Sequence, residues 1–273
     1  MRLLRRRNTK LEPPPKRPRG PFYEPLLERR EFTLADLDPL HDGLRIVQLT
    51  DVHVGRATPV HRVRAAITQA NAFAPDLVVM TGDYLSHTEK GVHLLREQLA
   101  GLTSPVVAVL GNHDHWVDAD GAAGALEELG YAVLRNQHTN LLLRGAALTV
   151  VGLDDLVTRT TDVPKAFHGA PRQGSRLVLA HVPRTAEYLL HYRASLCLAG
   201  HTHGGHVNIP GITSAIMRGL RENYIAGRFH VQSTQLYVSR GIGGAVMPFR
   251  LNAPPEVTLI TLRSAHPDMR RAA

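Results

Sequence analysis

Five short apolar runs in the 273-residue sequence each end in residues able to hold a metal ion. LRIVQLT is followed by Asp51-Val52-His53, DLVVMT by Gly82-Asp83, and VVAVL by Gly111-Asn112-His113-Asp114. RLVLA leads into His181, and SLCLA into GHTHGGH, which carries His201, His203 and His206. Carboxylate, amide and imidazole donors without thiolate suit manganese, iron, zinc or cobalt. Singly, each residue says little: an Asp after a strand is more often a turn former, and a lone His a satisfied half-buried side chain. Five strand ends with the same ligand chemistry point to a metal site. Three histidines as close as 201, 203 and 206 can hardly all face one ion.

The runs themselves must position these residues. Stretches of four to six residues rich in Val, Leu and Ile suit strands buried on both faces. Amphipathic helix patterns lie between the early ones. Thr58-Pro59 forms a cap and first-turn pair, after which Val60, Val63, Ile67 and Ala70 mark one helical face. Val92, Leu95, Leu99 and Leu102 mark a second helix, and GALEEL a third that stops at Gly130. Strands alternating with helices argue for an α/β architecture whose strand ends converge on one edge. The second half is less regular. LLLRGAALTVVGL reads as a hairpin turning near Arg144-Gly145, and LYVSRGIGG and EVTLITLR as further strands, so a second, partly antiparallel sheet is expected.

In order and spacing the five clusters resemble the signature of the calcineurin-like metallophosphoesterases: D-x-H, G-D, G-N-H-D/E, a lone H, and G-H-x-H. All five blocks are present between residues 51 and 203. LAHVP, GHTHGG and YVSRGIGG further resemble the bacterial YkuE-like branch and extend the likeness to about residue 262. The resemblance implies a four-layer α/β/β/α sandwich of two mixed sheets, with the site at one edge.

It also implies two divalent metal ions, manganese being expected and iron, zinc or cobalt compatible. Asp51, His53, Asp83 and His203 would hold one; Asp83, Asn112, His181 and His201 the other, with Asp83 bridging. Such a carboxylate has lone pairs for two cations. A hydroxide between the ions would attack phosphorus, so no Ser or Cys nucleophile is required. His113 is expected to face the substrate phosphate and protonate the leaving oxygen, with Asp114 orienting it or its loop. His206 departs from the Gln that relatives carry after the paired glycines; it is expected outside the ligand set, facing substrate.

Three further features weigh less. Arg240 and Arg250 flank a glycine-rich segment and could grip phosphate, against the plainer reading of surface arginines. The segment GITSAIMRGLRENYIAG offers Ile212, Ile216, Met217, Leu220 and Tyr224, which could cap the site and receive an acyl group, or could simply pack on the core. Cys197, the single cysteine, reads as a buried hydrophobe and excludes an internal disulfide.

Composition, with 43% hydrophobic and 21% charged residues, is that of a globular enzyme. The net charge of +8 would suggest nucleic acid, but residues 1–20 carry six Arg, two Lys and one Glu, leaving +1 for the other 253 residues. This Arg- and Pro-rich tail is read as disordered, with residues 21–273 as one domain. The tail lacks the apolar run of a secretory signal, and no membrane-spanning run occurs, so a cytoplasmic location is expected. The tail could hold the protein peripherally against anionic membrane.

The expected activity is hydrolysis of a phosphodiester or pyrophosphate rather than a simple monoester. Within the branch some relatives resemble lipid A pathway enzymes that split UDP-diacylglucosamine, and the tail and apolar segment suit such a lipid-linked substrate. A nuclease or cyclic-nucleotide phosphodiesterase is the alternative, disfavoured by the near-neutral folded part. A non-catalytic scaffold is more remote, because no ligand position is missing.

Overall fold

Strands buried on both faces need cover on both sides, and the chain supplies it with two sheets packed face to face and helices outside. The computed structural model of the protein describes residues 24–56, 58–86, 91–244 and 249–266; the basic tail lies outside them. The first sheet contains β1 (Leu26–Leu34), β2 (Leu44–Leu49), β3 (Leu77–Thr81), β4 (Val106–Val109), β5 (Ala132–Val133) and β12 (Glu256–Ser264), in the order β1-β12-β2-β3-β4-β5. The second contains β6 (Gln137–Leu143), β7 (Ala146–Gly152), β8 (Arg176–Leu179), β9 (Leu196–Ala199), β10 (Gly227–Val231) and β11 (Thr234–Val238), in the order β10-β11-β9-β8-β7-β6. Both are mixed. β12 runs antiparallel to β2 within an otherwise parallel sheet, and the second sheet has antiparallel pairs at its two edges.

Three apolar layers follow from alternation along the strands. Ile46, Leu77, Val79, Leu177, Leu196 and Leu198 meet between the sheets. Val47, Leu49, Val78 and Met80 point outward beneath α1 (Val60–Ala72), α2 (Gly91–Leu99) and α4 (Ala119–Glu128). Val151, Val178 and Cys197 face the other way, toward α5 (Val163–Phe167) and the 3-10 turn Pro183–Tyr188. This is the expected α/β/β/α sandwich. β3, β4, β8 and β9 are buried at every position, which is why they read as continuous apolar runs.

Some local expectations differ from what forms. Thr58 does not cap α1: Pro59 occupies that position without a side-chain bond, and the Thr58 hydroxyl instead accepts from the Gly244 amide 3.2 Å away. The segment after GHTHGGH forms α6 (Ile212–Gly219), but only Thr213 of that helix is buried. Ile212, Ile216 and Leu220 are 56%, 58% and 65% exposed, so the apolar stripe faces away from the core. Tyr224, beyond the helix, is buried in the third apolar layer.

Candidate metal centre

The donor residues sit where the buried strands end. Asp51 and His53 follow β2, Asp83 follows β3, and Asn112 opens α3 (Asn112–Val117) just after β4. His181 follows β8, and His201 and His203 follow β9. Backbone bonds lace these loops together: the amides of Asp51 and His53 donate to the carbonyls of Gly82 and Asp83, and that of Gly200 to His181. Gln48 ties the sheets to each other, its amide donating to Thr81 Oγ1 and to the Ala199 carbonyl, each at 3.0 Å.

The loops turn sharply. Asp51, His53, Asp83, His201 and His203 all have positive φ, between 48° and 71°. Each such residue costs on the order of 1–3 kcal/mol, and concentration of this conformation at one spot marks a site held by its surroundings. Close approach matters too. A Cβ on Gly111 would collide with the Asp83 carboxylate, and one on Gly241 with the Asp51 side chain.

Side-chain donor atoms fall into two groups. Those of Asp51, His53, Asp83 and His203 lie within 4.8 Å of one another, as do those of Asp83, His181 and His201. Asp83 belongs to both, its Oδ2 3.5 Å from His53 Nε2 and 3.2 Å from His181 Nε2. The chemistry fits divalent ions. Asn112 Oδ1 is buried with no hydrogen-bond partner among the described residues, an orphan acceptor that a cation would satisfy. His53 and His181 present Nε2 inward, because their Nδ1 atoms bond the carbonyls of Leu85 (3.0 Å) and Thr81 (2.8 Å).

Electrostatics follow from burying so many polar groups. Burial, partly offset by His181, raises Asp51 to about 6, and burial lowers His53 to about 4 and His201 to about 3. Burial and the neighbouring Arg250 push His203 well below its ordinary value. Asp83 and His181 behave as an ion pair: burial acts against both charges, yet mutual attraction holds Asp83 low and lifts His181 to about 10. With protein groups alone, a proton on His181 balances the charge that a cation would otherwise balance.

The remaining candidates are distributed unevenly. His113 Nδ1 bonds the Ser86 carbonyl at 3.0 Å, and its ring lies 4.8 Å from that of His53 and 5.0 Å from that of Trp116. Asp114 binds backbone amides through both carboxylate oxygens. Its Oδ1 accepts from the amides of Tyr84 (2.8 Å) and Leu85 (2.9 Å), and its Oδ2 from those of Asp83 and Gly111 (both 2.9 Å). It therefore clamps the Asp83 loop to the Gly111 loop. Burial and nearby Asp83 raise it to about 7, against the pull of the amides.

The His206 ring meets that of His203 edge to face with centroids 5.7 Å apart, at the end of the turn His203–Gly205. Arg240 and Arg250 are both buried rather than at the surface. Arg240 is held by Glu28, Glu256 and the Pro254 carbonyl. Arg250 donates to the carbonyls of Gly243 and Arg240 and, at 2.8 Å, to His203 Nδ1. These guanidiniums brace the loop beneath Asp51 and His203. The sequence reading also passed over Thr50, whose hydroxyl donates to Asp51 Oδ2 at 2.8 Å, and Glu222, whose Oε1 lies 3.8 Å from His201 Nε2. Glu222 carries no local signal, since it lies 19 residues beyond the last motif histidine.

The chain is similar to known proteins over most of its length. The sequence profile described as Calcineurin-like phosphoesterase matches residues 44–205. The chain is 31% identical over 258 residues to the uncharacterized metallophosphoesterase YkuE of Bacillus subtilis, covering 90% of this chain and 89% of that one. It is 31% identical to the phosphodiesterase YaeI of Escherichia coli, covering 88% of each. It is 26% identical to the UDP-2,3-diacylglucosamine pyrophosphatase LpxG of Chlamydia muridarum, covering 80% of this chain and 83% of that one. Among solved structures, the 5'-nucleotidase precursor of Thermus thermophilus superposes with a TM-score of 0.52 at 18% identity, over 80% of this chain and 54% of that one, a likeness of fold.

Proposed function

The chain belongs to the calcineurin-like phosphoesterase family, and from that premise we propose a two-ion phosphodiesterase or pyrophosphatase acting on a lipid-linked substrate. As a metallophosphoesterase it is a phosphoester hydrolase. The observation that carries the two-ion reading is the pair of donor groups sharing Asp83. In this reading Asp51, His53, Asp83 and His203 hold one ion; Asp83, Asn112, His181 and His201 hold the other, and manganese is the metal. Bound there, the ions would stabilise charge on the phosphoryl oxygens and make water a usable nucleophile near neutral pH.

The chain's own residues do the rest. The Ser86 carbonyl fixes the His113 ring through Nδ1, so Nε2 is the atom that gives a proton to the leaving oxygen. Asp114 keeps Asp83 in register with Asn112 and His113. His206 lines the substrate side of His203, and the buried pair Arg240 and Arg250 supports that side from beneath.

The lipid-linked part of the reading is supported by the exposed stripe on α6. Ile209, Ile212, Ile216, Leu220 and Leu251 all exceed 40% exposure, and Leu251 bonds through its amide to the His206 carbonyl. Burying one such side chain in acyl chains contributes about 1.5–3 kcal/mol, and each basic residue at an anionic surface about 1 kcal/mol. The relative named for a UDP-diacylglucosamine substrate points the same way. We place the protein in the cytoplasm against an anionic membrane face; among the described residues no helix is long and apolar enough to cross one.

The test is turnover of bis-p-nitrophenyl phosphate, p-nitrophenyl phosphate and UDP-2,3-diacylglucosamine by chelated protein with Mn2+ restored. Metal-dependent cleavage of the diester and the UDP-lipid, ahead of the monoester, is expected. Absence of metal-dependent cleavage of any of them refutes the reaction class, and cleavage of the diester without the UDP-lipid refutes that substrate. Replacing Ile212, Ile216 and Leu220 by Ser should raise KM for the lipid and leave the diester unaffected.

A further inference from the structure

Four imidazoles converge on the donor groups, and each turns one nitrogen away. His53 and His181 turn Nδ1 outward to backbone carbonyls, and His203 turns Nδ1 outward to the Arg250 guanidinium. His201 is oriented the other way. Its Nδ1 lies 3.2 Å from Nε2 of His181, so Nδ1 points into the group and Nε2 points out. At that outward nitrogen stands Glu222, with Oε1 at 3.8 Å. Glu222 is only 9% exposed, and its other oxygen, Oε2, is buried without a hydrogen-bond partner among the described residues.

The backbone holds Glu222 in this place. Leu220 ends α6 and Arg221 turns back with φ +63°. The Arg221 amide donates to the Arg218 carbonyl at 3.0 Å and the Glu222 amide to that of Met217 at 2.8 Å, the paired bonds of a Schellman turn. Three residues on, the Ile225 carbonyl accepts from the hydroxyl of Thr202, the residue between the two ligand histidines. The segment carrying Glu222 is thus pinned on both sides, once to the helix and once to the motif loop.

Charge is unequal between the two donor groups, and the surroundings compensate. The group of Asp51, His53, Asp83 and His203 has a carboxylate of its own, and the cation Arg250 stands behind His203. The group of Asp83, His181 and His201, with the neutral Asn112, has only the shared carboxylate. The anion Glu222 stands behind His201.

We propose that Glu222 is the positioning residue of the second ion: from 3.8 Å its carboxyl group attracts the N–H at His201 Nε2, favours the tautomer that leaves Nδ1 a lone pair, and supplies the negative charge that group lacks. The proposal rests on the two-ion reading above. A carboxylate behind a ligating imidazole orients the ring and raises its basicity, and removing such a partner weakens metal binding about 10–100-fold. Burial raises Glu222 above the ordinary carboxylate range, and attraction to Arg184 and His181 draws it back toward the anion. A purely structural role for that attraction would change folding stability and leave the two ions equally affected.

The experiment titrates the chelated full-length protein with Mn2+ by calorimetry, comparing wild type with Glu222→Gln and Glu222→Ala. Gln keeps the shape and removes the charge, so it tests the charge even if Ala perturbs folding. One of two binding steps should weaken about 10–100-fold in Glu222→Ala and by a smaller factor in Glu222→Gln. The other step should hold within about twofold, and the unfolding midpoint of the chelated protein should stay near wild type. Electron paramagnetic resonance at limiting Mn2+ should show isolated ions where wild type shows a coupled pair. Two unchanged binding steps in both variants overturn the proposal, as does an equal loss in both steps accompanied by lower stability. A wild-type protein that binds no Mn2+ would refute the two-ion reading itself, an outcome distinct from either.

Discussion

Replacing Asp114 by Asn exchanges one carboxylate oxygen for an NH2 group and leaves the shape of the side chain intact, yet the structure requires a large effect. Four backbone amides, from Asp83, Gly111, Tyr84 and Leu85, point at the two carboxylate oxygens from 2.8 to 2.9 Å. The site is fully buried, so no water can substitute. Asn offers one acceptor oxygen, and its NH2 must face the other two amides. Two donors then lose their acceptor, at about 1–3 kcal/mol each, for a total of about 2–6 kcal/mol. That is a substantial part of a typical folding stability of about 5–15 kcal/mol. At pH 8, above the value of about 7 to which burial raises Asp114, the wild-type group is ionised. Thermal unfolding of chelated protein at that pH should show a Tm lower by at least about 4 °C, since 1 kcal/mol shifts a domain of this size by about 2–4 °C. The freed Asp83 loop should also bind Mn2+ more weakly. An Asn variant within about 0.5 kcal/mol of wild type, with unchanged Mn2+ affinity, would show that the four bonds do not hold the loops and would refute the clamp.

Other consequences are quicker to check. Cys197 is buried and its thiol is pushed up to about 12 by burial, so native protein should resist thiol reagents and react stoichiometrically only after unfolding. Gly111→Ala should impair Mn2+ binding even though the backbone there, at φ −113°, suits Ala, because the new Cβ meets Asp83; wild-type affinity would rule out the close approach. His115 and Asp154 form a part-buried pair at 2.6 Å. The hydrogen bond to Asp154 raises His115, so its contribution is complete below the ordinary imidazole range and is lost as pH rises through the raised value. Asp154 is held low by His115 against burial, so its share is lost only in acid. His115→Gln should therefore cost about 1.5–3 kcal/mol near pH 5.5 and less at pH 9 in urea unfolding, whereas a pH-independent gap contradicts the pairing.

How much was legible follows from where each signal resides. Four of the strands are covered on both faces, so burial writes itself as an uninterrupted apolar run, and the hairpin at Arg144-Gly145 carries its own turn residues. β1 escaped notice because LLERREFTL mixes charges among its apolar residues; it is an edge strand that pairs with β12, more than 200 residues away. β5 is two residues long and has no period to detect. The stripe on α6 has a helical period whether it meets the core or solvent, so periodicity could not tell which. The partners of Arg240 and Arg250, Glu28 and His203, are brought near only by the folded chain, so no local pattern separated surface arginines from buried ones.

The sequence by itself determined the kinds of donor, their order, and their placement at strand ends, because these depend on residue type and on local patterns of burial. Only the tertiary structure decided how those donors divide into two groups about Asp83. It also decided which ring nitrogen each histidine turns inward and what stands behind it. The physical reason is that a ring's orientation and tautomer are set by partners distant in sequence: Thr81 for His181, 100 residues back, and Leu85 for His53, 32 residues on. The same holds for Glu222, whose closeness to His201 depends on a helix folding back across the site. The GHTHGGH segment offers two candidate donors, but the direction each one faces is settled by the rest of the molecule.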